Sequence, residues 1–159
     1  MDVPSSTFPS LTSETDATMS KVLYTTSATS TGDGRNGHVR SADGLLDLDL
    51  AFPKEFGGAG GKTNPEQLFA AGYAACFHSA LKLVASREKA KLGDSTVTAQ
   101  VNIHPTPDNG FLLSAALRIE IAGVDQATAE SLVAKAHQVC PYSNAVRGNI
   151  EVTLDTQAV

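Results

Sequence analysis

The chain has 159 residues, 42% of them hydrophobic and 18% charged, with a formal net charge of -5. That length supports one well-buried core and not two ordinary domains. The negative balance, with only the scattered Arg87, Lys89 and Lys91 as a basic group, excludes nucleic acid and anionic membrane as expected partners, and no apolar run reaches the roughly 18 residues of a membrane span.

Residues 1–20 are rich in Ser, Thr and Pro, without apolar periodicity, and are predicted to be a disordered tail or sequence upstream of a start at Met19. A single ordered domain is expected over 21–159. The N-terminus has neither the basic start and apolar stretch of a secretory signal nor an Arg-rich presequence, so a cytoplasmic address is expected. In that compartment a persistent disulfide between the two cysteines, Cys76 and Cys140, would be reduced, whereas a transient one is allowed.

Val22, Tyr24 and Thr26 alternate in a β-branched run that predicts a first strand. Gly32 to Gly37 reads as a turn, His38 to Ser41 as a second strand, Ala42-Asp-Gly44 as a turn, and Leu46, Leu48 and Leu50 as a half-buried third strand. A glycine-rich loop follows over Phe56 to Gly61. Asn64 then suits a helix N-cap, with Pro65 at the first helical position and Gln67 able to reach back to the cap. This helix is predicted to run to about Ala90, and it is apolar on nearly every face between Phe69 and Val84. Val97 to Ile103 and Leu113 to Ile121 alternate around a turn at Asp108-Asn-Gly110 and predict a hairpin. Asp125 caps a second helix that must end near Cys140, because Pro141 disfavours helical geometry in the residue before it. Ile150, Val152 and Leu154 suit a last strand. The order β-β-β-α-β-β-α-β predicts an α+β fold, its helices on one side of a mainly antiparallel sheet.

Three constellations could carry chemistry. Gly57 to Thr63 superficially suggests a phosphate loop, but Phe56 stands where that loop needs its first glycine, and no buried strand precedes it. His78, His137, Cys76 and Cys140 could in principle enclose zinc. Yet Cys76 and His78 are two apart on one helix and point to different faces, so the metal count is expected to be none. The thiol pair is the third. Alone, two cysteines read as inert core residues. A redox pair needs a charged thiolate, a second thiol within disulfide reach and access for an oxidant.

An apolar helix raises the pKa of a thiol, so Cys76 would need a cation. Arg35, in a Gly-flanked turn, is the best candidate and His78 a weaker one; Glu66, in the first turn of the Cys76 helix, can balance a buried arginine. Ten residues at about 1.5 Å rise separate Glu66 from Cys76 by roughly 15 Å. Either the helix is interrupted near Gly72, or the Arg35/Glu66 pair reaches the thiol from a partner subunit. Cys140 is disfavoured as a thiolate at the end of its helix and favoured if Pro141 opens a new one, the first effect being expected to dominate. Phe77 and Tyr142 neighbour the cysteines, and Phe69 lies two turns before Cys76. All three are candidate walls for an alkyl-bearing substrate, although core packing is the simpler role for Phe69. A helix apolar on all sides also predicts a homodimer that buries it.

The segments Thr29 to Gly37, Ser41 to Gly44, Asn64 to Leu81, Cys140-Pro-Tyr-Ser143 and Gly148-Asn-Ile150 closely resemble the organic hydroperoxide resistance (Ohr) branch of the OsmC/Ohr family. The resemblance spans about residue 21 to the C-terminus. It implies an intertwined homodimer with two interfacial sites, and reduction of organic hydroperoxides by a thiol peroxidase without a bound cofactor. By motif position Cys76 corresponds to the peroxidatic cysteine and Cys140 to the resolving one, with Arg35 and Glu66 as the activating pair. The turn reads Gly-Asp-Gly-Arg where Gly-Gly-Arg is usual, which makes Arg40 the fallback for Arg35. The family implies a dihydrolipoyl group on a lipoylated carrier protein as external reductant. An OsmC-type peroxidase of broader preference and a non-enzymatic binder of apolar ligands remain the alternatives.

Overall fold

A computed structural model describes residues 21–159, so the expected N-terminal tail lies outside the described residues. The chain order is β1 (Ala28–Thr31), β2 (His38–Ser41), β3 (Asp47–Asp49), α1 (Pro65–Arg87), β4 (Ser95–Pro105), β5 (Phe111–Ile121), α2 (Gln126–Val139), α3 (Pro141–Val146) and β6 (Val152–Ala158). Short 3-10 turns cover Gly34–Asn36 and Lys54–Phe56. The α+β class predicted from the sequence holds.

The strands form two separate three-stranded sheets, β1-β2-β3 and β4-β5-β6. All pairs are antiparallel except β5 with β6, which is parallel, with Ala115 opposite Val152. The parallel pair has a topological cause. β6 returns to β5 through α2 and α3, and a helical crossover delivers the next strand in the same direction.

The core lies between the second sheet and its helices. Val97 and Ala99 from β4, Ala115, Leu117, Ile119 and Ile121 from β5, and Val152 and Leu154 from β6 face α1 and α2. Tyr73, Phe77 and Leu81 of α1 and Val133 of α2 are fully buried against them. The alternate positions Thr98, Gln100, Arg118 and Asp155 face water, as a sheet covered on one side requires.

α1 is continuous from Pro65 to Arg87. Its cap forms as predicted, the Gln67 N–H donating to Asn64 Oδ1 at 2.9 Å. The Gln67 side chain, expected to reach the cap backbone, accepts instead from the Thr63 hydroxyl at 2.9 Å. The helix stops at Arg87, short of Ala90, and Lys89 adopts a positive φ of 57°. α1 is long and apolar enough to cross a membrane, but it packs on β4 and α2 as a core helix. Within the single chain only one side of it is covered. Ala71, Ala75, Ser79, Leu83 and Ser86 form an open stripe of small and apolar residues, Leu83 being 46% exposed.

The first sheet differs from expectation at its edges. The alternating run Val22 to Thr26 has no partner strand among the described residues, and Val22 and Leu23 stand 73% and 96% exposed. The first strand forms later, where Ala28 pairs with Ser41. β3 is shortened to Asp47–Asp49, with Leu48 38% exposed and only Leu50 buried, beside Thr63.

Candidate functional site

Cys76 and Cys140 meet. Their sulfurs stand 3.8 Å apart, both unbridged, with Cys76 partly exposed and Cys140 fully buried. Cys76 lies midway along α1. Cys140 occupies the joint between α2 and α3, serving as C-cap of one and N-cap of the other, with the extended backbone (φ -65°, ψ 122°) that a residue before proline adopts. A disulfide needs about 2.05 Å between sulfurs, so closure requires an approach of roughly 1.8 Å, within reach of side-chain rotation and a small backbone adjustment. Pro141 does open a new helix, so Cys140 stands at both a helix end and a helix start.

The electrostatics of Cys76 are those of an underprovided thiol. Burial pushes it up from the ordinary thiol range, the Tyr142 backbone N–H directed at it pulls it down, and the neighbouring Cys140 thiol adds to the rise. The Tyr142 N–H is available because it sits in the first turn of α3, where backbone donors have no helical partner. Its contact with Cys76 was not foreseen from the sequence.

Arg35 and Glu66 pair within the chain through two hydrogen bonds, Nη1 to Oε2 at 2.8 Å and Nη2 to Oε1 at 2.7 Å. The hydrogen bond to the guanidinium holds the Glu66 carboxyl below its ordinary range, and the same bond raises Arg35. The loop carrying Arg35 is fixed from both sides. Asn36 Oδ1 accepts from the Phe52 N–H at 3.0 Å, the guanidinium lies 6.0 Å from the Phe52 ring centre, and a Cβ on Gly37 would collide with the Thr31 carbonyl. Arg40, the fallback, is 61% exposed and lies 3.6 Å from Asp47. Glu66 therefore pairs with Arg35, and Arg40 with Asp47.

The helix between Glu66 and Cys76 is unbroken, so the interruption considered at Gly72 does not occur. Gly72 has a different role. A Cβ there would stand 2.8 Å from Tyr142 Oη and 3.1 Å from its Cε2. Glycine lets the Tyr142 ring lie against α1 one turn before Cys76. That ring joins Phe69 and Tyr73 in a cluster with centroid separations of 5.9 to 6.1 Å. Tyr142 is 38% exposed and Phe69 half-buried, so both can face an incoming ligand. Phe77 cannot. It is fully buried, 6.5 Å from the His137 ring, and belongs to the core: its neighbour in sequence faces the site, but successive helical residues point in different directions.

The histidines considered for zinc have other partners. His78 Nε2 lies 2.9 Å from Ser95 Oγ, and His137 Nδ1 lies 2.9 Å from Ser143 Oγ. Burial pushes both below the ordinary histidine range, which also removes His78 as a cation for Cys76. Among the described residues no group of three or more His, Cys, Asp and Glu is placed to hold a metal ion.

The family model described as OsmC-like protein matches residues 58–155. The organic hydroperoxide resistance protein of Xanthomonas axonopodis pv. citri is 56% identical over 140 residues, covering 87% of this chain and 97% of the relative. The organic hydroperoxide resistance protein OhrA of Bacillus subtilis is 48% identical over 143 residues, covering 86% and 98%. Among solved structures, an organic hydroperoxide resistance protein from Legionella pneumophila superposes with a TM-score of 0.84 at 59% identity, over 86% of this chain and 99% of the other. OhrB of Bacillus subtilis superposes with a TM-score of 0.78 at 42% identity, over 86% and 100%.

Proposed function

The chain belongs to the OsmC/Ohr family, and from that premise we propose that it is a thiol-dependent peroxidase that reduces organic hydroperoxides to alcohols. The observation that carries this reading is the pair of free sulfurs at 3.8 Å, one reachable from solvent and the other sealed in the core. An oxidant meets Cys76 first, and the product has a thiol already beside it.

In the first step the Cys76 thiolate attacks the terminal oxygen of the hydroperoxide. The O–O bond breaks, the alkoxide leaves and takes a proton as the alcohol, and Cys76 becomes a sulfenic acid. Cys140 then attacks the Cys76 sulfur. The S–S bond forms, the S–O bond breaks, and the hydroxyl leaves with the Cys140 proton as water. An external dithiol, for which the family supplies the dihydrolipoyl group of a carrier protein, reduces the disulfide by exchange. This cycle needs no bound cofactor, and it suits a cytoplasmic location, where reductant is at hand.

Activation of Cys76 is assigned to Arg35 and Glu66 of a second copy. Burial raises the thiol within one chain, while the bidentate pair sits ten residues away at the start of the same unbroken helix, roughly 15 Å by helical rise. The open stripe from Ala71 to Ser86 supplies a surface on which two copies of α1 can pack closely. A two-fold dimer through this stripe would bring each chain's pair toward the other's thiol.

Phe69 and Tyr142 form the apolar wall that favours an alkyl tail over hydrogen peroxide. Turnover of an organic hydroperoxide with dihydrolipoamide is the direct assay. Cys76→Ser should abolish it, and retained turnover in that variant would refute the assignment.

A further inference from the structure

A buried polar chain runs behind the sulfurs and takes no part in the steps above. Tyr73 Oη lies 2.9 Å from Ser143 Oγ, which lies 2.9 Å from His137 Nδ1. Tyr73 and Ser143 are both fully buried. The chain's placement relative to the cysteines is what matters. Tyr73 precedes Cys76 by three residues on α1, His137 precedes Cys140 by three at the end of α2, and Ser143 follows Cys140 by three in α3. Residues three apart share a helix face, so each hydroxyl or ring nitrogen lies next to the turn that carries a sulfur.

Burial and the nearby Arg147 charge push His137 below its ordinary range. The Ser143 hydroxyl can donate to one of its two neighbours while accepting from the other, so it is hydrogen-bonded on both sides. Arg147 closes the outer side, with Nη2 donating to the His137 carbonyl and Nη1 to Asn144 Oδ1, each at 2.6 Å. Ser143 thus ties all three helices together, through its hydroxyl to α1 and α2 and through its own backbone to α3.

α3 has six residues, too few to hold a helical conformation by its own hydrogen bonds. Its position rests on tertiary contacts, and Ser143 makes its buried hydrogen bonds. The placement of Cys140, at the joint that α3 shares with α2, depends on it.

We infer that Tyr73, Ser143 and His137 are positioning residues for the resolving step: they hold Cys140 within closing distance of the oxidised Cys76 and so decide whether the sulfenic acid becomes a disulfide or is oxidised again. The inference rests on the peroxidase reading. In the productive branch the Cys140 sulfur displaces hydroxide from the Cys76 sulfur and water leaves. In the competing branch a second hydroperoxide transfers its oxygen to the sulfenic acid, giving sulfinic acid and a second alcohol. The first branch is unimolecular and depends on geometry, whereas the second depends on peroxide concentration. Their ratio reads the geometry directly.

The test uses the full chain with Tyr73→Phe, Ser143→Ala and the double variant. Reduced protein is exposed to rising concentrations of an organic hydroperoxide, and the products are separated by intact mass into disulfide and sulfinic acid. The rate of the first oxidation is measured alongside. Each single variant should oxidise Cys76 within about threefold of the wild-type rate, and should reach half sulfinic acid at about tenfold less peroxide, the effect of leaving a buried hydroxyl unpaired. The double variant should be no worse than the more affected single one, because both remove the same bond. Should Ser143→Ala fail to fold, His137→Asn probes the half-buried end of the chain with the same readout. Equal over-oxidation thresholds in wild type and folded variants would overturn the inference, as would a first oxidation slowed as much as the resolution. A wild type that forms no disulfide at any concentration would instead overturn the peroxidase reading.

Discussion

Gly72→Ala adds one methyl group where the Tyr142 ring leaves no room for it. The new Cβ would stand 2.8 Å from Tyr142 Oη and 3.2 Å from Cζ, against an ordinary carbon contact of about 3.6 Å, so the ring must retreat by about 0.8 Å. The helix cannot yield, because α1 is packed on β4 and α2 along this stretch, but Tyr142 is 38% exposed and can swing outward. Alanine stabilises the helix by about 0.8–1.0 kcal/mol over glycine, and loosening two aromatic contacts costs about as much. The melting midpoint should therefore correspond to a stability within about 1 kcal/mol of wild type. Catalysis should change more than stability does. A displaced ring removes the equivalent of one or two methylene contacts from the wall, about 0.8 kcal/mol each, which corresponds to a loss of about 4- to 15-fold in kcat/KM for a bulky hydroperoxide. A small alkyl hydroperoxide, which has less surface to lose, should fall by under about threefold on the same scale. Steady-state assays on one bulky and one small substrate, run beside thermal melts, measure all three quantities. Equal losses on both substrates, or no loss on either, would refute the role given to the Tyr142 ring.

Arg35→Ala should cost about 1–2 kcal/mol of stability at neutral pH, since the pair is bidentate but partly exposed. Because Arg35 holds the Glu66 carboxyl below its ordinary range, that contribution is present above the ordinary carboxyl pKa and is lost as pH falls through the lowered one. Urea melts of the two proteins should thus diverge at pH 7 and converge at acid pH, once the Glu66 carboxyl is protonated. Mixing Cys76→Ser chains with Arg35→Ala chains should restore about one working site per mixed dimer if the pair acts between subunits; no recovery would place the activation elsewhere. Cys140→Ala should consume about one equivalent of peroxide without turnover and then pass to the sulfinic acid under excess, as followed by mass; sustained dithiol-dependent turnover would remove Cys140 from the cycle.

Much of this was legible because local rules and the fold agree. Asn64-Pro65 starts α1, Asp125 caps α2 through the Thr128 N–H at 2.7 Å, and the hairpin turns at Asn109 with a φ of 61°. Proximity of the two thiols could be expected from motif position alone, and the structure supplies the distance. What the sequence could not give depends on tertiary partners. The run Val22 to Thr26 has strand periodicity but no strand to pair with among the described residues. The parallel β5–β6 pair is a consequence of crossover, which periodicity does not encode. Phe77 looked like a site residue by adjacency, and its direction on the helix put it in the core. Tyr73, Ser143 and His137 carried one available signal, their three-residue offsets from the cysteines. The offsets acquire meaning only when the three helices converge. Gly72 suggested a break, and only the approaching Tyr142 ring explains it.

The central claim is that Cys76 and Cys140 form a redox couple, and the mass of the oxidised chain tests it most directly. Fully reduced protein treated with one equivalent of an organic hydroperoxide should lose two hydrogens, and peptide mapping should join the segment containing Cys76 to the segment containing Cys140. The 3.8 Å approach of the sulfurs in the reduced state favours that closure over any other fate. An unchanged mass, or the gain of one oxygen on Cys76 that persists with Cys140 intact, would contradict the account.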